Sequence, residues 1–365
     1  MRRLAFLLLI AVVATACGGG AGPTGTPSPG PARAVTASPT AVPTPTPVGQ
    51  RSKADVLAYL RSVGDSPNII VGQQFTNGTI ATDPKFGYPA MVGDLEAKTG
   101  RYPFLLSAEL LDDPGYNIAS IRENNTYLIR HWNRGGLVTV STAFPNPWTG
   151  GASNRSQVNL PALYTPGNAA YDRFHADLDL VARGFRELAD NGVVVLYRPL
   201  IEMTGDWTWW GGWGQTQYSA LWREVHNYLT VTKGLDNLLW VYAPNMAYRP
   251  NYPAEGYYPG GAYVDVVGLD WYSDTFPDEA GRGDYDALVA LGKPIALTEV
   301  GPWYQGTNHG GSNDNLRFLT AKKMYPKLSY FMCWNDWQGV TVSIVGNPNA
   351  DKLMNSPRAI TLPGD

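Results

Sequence analysis

Cysteine is almost missing from these 365 residues: Cys17 and Cys333 are the two in the sequence, so no internal disulfide framework can hold the fold. Histidine is scarce as well. His131, His175 and His226 fall in helix-like stretches, His309 stands apart, and no two have the spacing of metal ligands. Charge is nearly balanced, with 28 basic against 31 acidic residues and a net charge of −3, and no basic run is present, which argues against a nucleic-acid partner. No G-x-S-x-G elbow, P-loop or dinucleotide fingerprint occurs, and no short repeat period suggests a propeller or solenoid. The longest apolar run, in "MRRLAFLLLIAVVATACGGG", is about a dozen residues, too short to span a bilayer.

That run follows two arginines and leads through small residues to Cys17, the pattern of an export signal over residues 1–17. Ala14, Thr15 and Ala16 approximate a bacterial lipobox with alanine where leucine is usual, so Cys17 is expected to be lipidated. An ordinary cleaved signal with an incidental cysteine is the alternative. Residues 18–50 are Pro, Thr, Gly, Ser and Ala with almost no large apolar side chain, a composition that cannot offset its ordering entropy and reads as an extended tether. The expected setting is therefore extracellular, on the surface of a bacterium, with the membrane reached through the lipid. Residues 51–365 remain, enough for two domains or one large barrel.

In abundance are 12 tryptophans and 21 tyrosines, more aromatic surface than a core requires. Eight short apolar runs of strand character alternate with amphipathic stretches: 68–75, 102–110, 136–144, 193–203, 237–245, 264–272, 294–301 and 330–337. Helices are expected between them, one with Ser120 as N-cap and several ending in glycine. Near-continuous apolar strands separated by helices predict a parallel sheet buried on both faces, and eight such units predict an α/β fold of the (β/α)8 barrel type. Chemistry then belongs at the strand C-termini.

Polar residues there include Gln73, Gln74, Glu109, Asn146, Arg198, Asn245, Asp270 and Asp336, but two glutamates stand out. Glu202 ends the fourth strand and Glu299 the seventh, so a barrel brings them across the mouth from one another. Taken singly, each glutamate also reads as half of a buried ion pair. Facing carboxyls are what glycoside hydrolysis needs: one protonates the departing oxygen, the other attacks the anomeric carbon or activates water. Tryptophans crowd behind Glu202 in "YRPLIEMTGDWTWWGGWG", and indole faces suit the apolar C–H faces of sugars. Cys333, inside an apolar strand, reads as a small buried hydrophobe.

The stretch "YRPLIEMTGDWTWWGG" resembles the strand-four signature of glycoside hydrolase family 26, Arg-Pro-Leu-His-Glu-Met-Asn-Gly followed by tryptophans. The likeness continues through "IIVGQQ", "HWNRGGLVTVS", "LWVYAPN", "YYPGGAYVDVVGLDWY" and "PIALTEVG". It implies an endo-acting, retaining β-glycanase over residues 51–365, with Glu202 as acid/base, Glu299 as nucleophile, Tyr272 bonded to the nucleophile and Arg198 bracing Glu202. Trp207, Trp210, Trp334 and Asn146 are the further expected substrate contacts, core packing being the alternative for Trp210 and Trp334. No cofactor or metal is implied, and the partner is a polysaccharide. Two departures bear on substrate: Thr142 and Ala143 stand where the family has Trp-His, and Ile201 replaces the histidine before the acid. Mannan is the expected substrate, with mixed-linkage β-glucan, β-1,3-xylan or a non-catalytic glycan-binding role as alternatives. Nothing in the sequence indicates an oligomeric state.

Overall fold

In the computed structural model, which describes residues 51–77, 81–111, 116–246, 252–303, 311–337 and 339–365, eight parallel strands close into a barrel. They are β1 (Ile69–Asn77), β2 (Leu105–Leu110), β3 (Leu137–Thr142), β4 (Val195–Pro199), β5 (Leu238–Tyr242), β6 (Val266–Tyr272), β7 (Ile295–Gly301) and β8 (Leu328–Cys333). Each pairs with the next in sequence order, and β8 returns to β1 with Ile70 opposite Tyr330 and Gln73 opposite Cys333. Every residue of β2, β3, β4, β5, β7 and β8 is buried, which is why these runs read as unbroken apolar segments. Closure leaves no barrel edge to recruit another strand.

Helix α1 (Lys53–Gly64) precedes β1 and opens on a capping box between Ser52 and Asp55, a helix the apolar pattern does not announce. Between the strands lie α2 (Asp94–Thr99), α3 (Ile118–Asn133), α4 (Ala169–Asp190), α5 (Gln215–Asn227), α6 (Arg282–Val289) and α7 (Arg317–Met324), and α8 (Ala350–Met354) follows β8. The N-cap of α3 is Asn117, whose side chain accepts from the Ala119 amide, rather than Ser120. The expected strand at 102–110 is two elements. Residues Arg101–Pro103 leave the barrel and pair antiparallel with Ala359–Pro363, which also runs beside β1 at Ile69 and Ile70.

The fold is tied in from its first described residue. The Arg51 guanidinium lies 3.6 Å above the Trp132 ring and donates to the carbonyls of Trp132, Gly135 and Gly136. Among the described residues no helix is long and apolar enough to cross a membrane. The signal-like segment 1–17 with Cys17 and the tether 18–50 lie outside the described residues.

Candidate active site

Strand β4 stops at Pro199, and Leu200–Met203, which sequence alone assigns to the strand, is a turn. Leu200 and Glu202 hold φ of +51° and +56°, the left-handed region that costs a side-chain-bearing residue about 1–3 kcal/mol. The turn survives because its surroundings over-determine it. The Glu202 amide donates to the Ala243 carbonyl at 2.8 Å, and the Trp210 indole donates to the Ile201 carbonyl at 2.7 Å. Glu202 thereby leaves the barrel wall and enters the mouth, half-buried, where the Trp207 Nε1 donates to its Oε2 at 2.9 Å.

Glu299 reaches the same space from β7 and is almost fully buried. Arg198 Nη1 donates to its Oε1 at 2.8 Å, and the Tyr272 hydroxyl donates to its Oε2 at 3.0 Å. Arg198 therefore braces the seventh-strand glutamate and not Glu202, the partner that the family resemblance implied. It is wholly buried, so its part is to hold Glu299 rather than to touch substrate. A third carboxyl completes the cluster. A register shift after Leu269 sets Asp270 opposite Glu299, and the Thr298 hydroxyl donates to its Oδ1 at 2.6 Å while its Oδ2 is buried without a partner. One oxygen from each of Glu202, Asp270 and Glu299 lies within 4.8 Å of the others.

Two buried carboxyls and a half-buried third beside one guanidinium do not all carry charge cheaply. Burial raises all three and the Arg198 charge pulls each of them back, but only Glu299 also accepts a hydrogen bond from that guanidinium, with a second from Tyr272. Burial, reinforced by the Glu299 charge, pushes Glu202 up to about 8 against the weaker pull of the Trp207 bond. Burial and the same neighbouring charge hold Asp270 well above the carboxylate range. Of the two glutamates, the environment favours the anion on Glu299 and the proton on Glu202. Carboxyl oxygens this close are compatible with the ~5–5.5 Å carboxyl spacing of retaining glycosidases.

A cavity of about 410 Å³ opens over the pair. Of the expected contacts, Glu202, Glu299, Tyr272, Trp207, Trp210 and Trp334 line it, and Trp207 is 45% exposed. Asn146 does not. It is fully buried and clamps its own loop, donating to the carbonyls of Asn154 and Ser156 and accepting from the amides of Trp148 and Thr149. That loop delivers Ser153 to the cavity wall. Trp303 and Trp337, not singled out from sequence, add two more indoles on the side of β7 and β8, and their signal was the "GPW" and "WNDW" that follow those strands. Ala143 and Ile201 also line the cavity, so both departures from the family pattern face the space a sugar would fill.

Residues 46–361 match the sequence model of Glycosyl hydrolase family 26. The chain is 40% identical over 227 residues to the mannan endo-1,4-beta-mannosidase A and B of Caldalkalibacillus mannanilyticus, an overlap of 58% of this chain and 42% of that protein. It is 38% identical over 226 residues to a mannan endo-1,4-beta-mannosidase of Bacillus subtilis, covering 58% of this chain and 59% of the other. The matched region thus spans about half the length of the curated relatives. The solved structure of a Bacillus subtilis mannanase superposes with a TM-score of 0.70 at 29% identity, over 86% of this chain and 92% of that one.

Proposed function

Because the chain belongs to glycosyl hydrolase family 26, we propose that it is an endo-acting, retaining β-glycanase whose substrate is a β-1,4-mannan. The observation that carries this reading is that Glu202 and Glu299 bring carboxyl oxygens within 4.8 Å of each other at the floor of the cavity, with Glu202 raised to about 8 and Glu299 held by Arg198 and Tyr272. Sugar rings stack on the cavity indoles with the scissile bond between the two carboxyls. Glu299 attacks the anomeric carbon while Glu202 gives its proton to the departing oxygen, and a covalent glycosyl ester forms on Glu299. Esterification removes the charge that helped to raise Glu202, which then takes a proton from water as that water displaces the ester. Tyr272 and Arg198 fix the attacking carboxylate throughout.

Mannan is favoured because the relatives are mannan endo-1,4-beta-mannosidases. The test is release of new reducing ends from mannan, lichenan, β-1,3-xylan and xylan by the intact protein and by Glu202→Ala and Glu299→Ala. Cleavage confined to mannan, lost by several orders of magnitude in both variants and restored by azide with inverted configuration in Glu299→Ala, supports the reading. Binding to the panel without cleavage of any member overturns it in favour of a non-catalytic glycan-binding protein. The composition of residues 1–50 supports export, lipidation at Cys17 and a cell-surface tether, and mass spectrometry of the mature N-terminus checks that part.

A further inference from the structure

We propose that Tyr218 is a positioning residue for the acid/base, its hydroxyl pinning the left-handed turn that aims Glu202 into the cavity. The inference rests on the glycosidase reading above. Tyr218 sits on α5, outside the barrel, wholly buried and away from the cavity lining. Its hydroxyl donates to the Leu200 carbonyl at 2.9 Å.

Two successive peptide planes lead to Glu202, and each is pinned through its carbonyl. The Leu200–Ile201 plane is held by Tyr218 and the Ile201–Glu202 plane by the Trp210 indole, with the Glu202 amide bonded to Ala243. The left-handed φ values of Leu200 and Glu202 flank these two planes on either side, and side-chain-bearing residues leave such values when nothing holds them. Trp210 lines the cavity, so its role cannot be separated from sugar contact. Tyr218 can be. Its ring is locked edge-on against Tyr257 at 5.8 Å and 86°. Burial keeps its phenol protonated and therefore a donor. Without the hydroxyl the Leu200 carbonyl loses this buried donor, the first plane is free to rotate, and the Glu202 carboxyl shifts relative to Glu299 and to the bond it must protonate. A displacement of about 1 Å at a reacting group costs on the order of 10²-fold in rate.

The experiment is Tyr218→Phe in the intact protein, with kcat/KM measured on the polysaccharide and on a dinitrophenyl glycoside, whose leaving group departs without a proton. The expected result is a fall of roughly 10- to 100-fold on the polysaccharide, carried by kcat with KM little changed, and a near-normal kcat/KM on the dinitrophenyl glycoside. Unchanged turnover of both substrates overturns the proposal, and so does an equal loss on both, which assigns Tyr218 to the fold alone. Glu202→Ala serves as reference: if it cleaves polysaccharide as the native protein does, the acid/base reading itself fails, independently of Tyr218.

Discussion

Replacing Arg198 by methionine should convert a charge that the native cluster tolerates into one that it cannot. The guanidinium is fully buried and gives its Nη1 to Glu299 Oε1 and the Thr298 carbonyl. Removing one member of a buried pair costs about 3–5 kcal/mol when the other stays charged. Glu299 limits that cost by taking up a proton. Keeping a glutamic acid neutral at pH 7 costs about 1.36 kcal/mol for each unit between its reference value near 4.3 and 7, or ~3.7 kcal/mol, and ~1 kcal/mol at pH 5; burial already raises the native Glu299, so these figures are ceilings on the loss. The sign follows from linkage. A carboxyl whose folded-state proton affinity has been raised supports the fold below its unfolded value and loses that support as pH climbs, so the deficit of Arg198→Met widens from pH 5 to pH 7. For a folded part spanning residues 51–365 the loss at neutral pH corresponds to a melting point lower by up to about 6 °C, with most of the gap closing by pH 5. Calorimetric melts of both proteins at the two pH values measure it. A deficit that is the same at both, or absent at both, would refute the assignment of the native anion to Glu299.

In the proposed mechanism Glu202 acts in its acid form, and its carboxyl is raised to about 8, so kcat/KM should decline as pH rises through that value; a pH–rate profile with its alkaline limb below 6 contradicts this. Gly72 in β1 faces the closing strand so tightly that a Cβ would lie 2.6 Å from the Phe331 carbonyl oxygen and 3.2 Å from Met332 Cα. Gly72→Ala should therefore lose about 1–3 kcal/mol in denaturant unfolding. Gly283→Ala in α6, where nothing lies within 4 Å of the added carbon, should be neutral or stabilising by up to about 1 kcal/mol.

The barrel was legible because burying a parallel sheet on both faces writes long apolar runs into the chain, and all eight runs became strands. What escaped were elements with no such imprint. Helix α1 keeps half of its surface in water, and Ala359–Pro363 pairs at the barrel's base with only one of its residues buried. The acid turn was hidden for another reason: Leu200 and Glu202 take left-handed backbone without glycine, so "PLIEM" read as more strand. Both glutamates were readable from strand ends alone. The true partner of Arg198 was not, since β4 and β7 meet it only across the barrel interior. Asn146 misled because a polar residue at a strand end looks alike whether it points at a ligand or ties its own loop.

The 45% exposed ring of Trp207 is also the donor that grips Glu202. On the proposed function, a sugar laid on that indole strips water from the carboxyl it holds, which raises that carboxyl's affinity for its proton. Reciprocity makes the converse equally true, so the protonated form takes the sugar more tightly. Recognition of the chain and arming of the acid are then one equilibrium, read out at a single side chain.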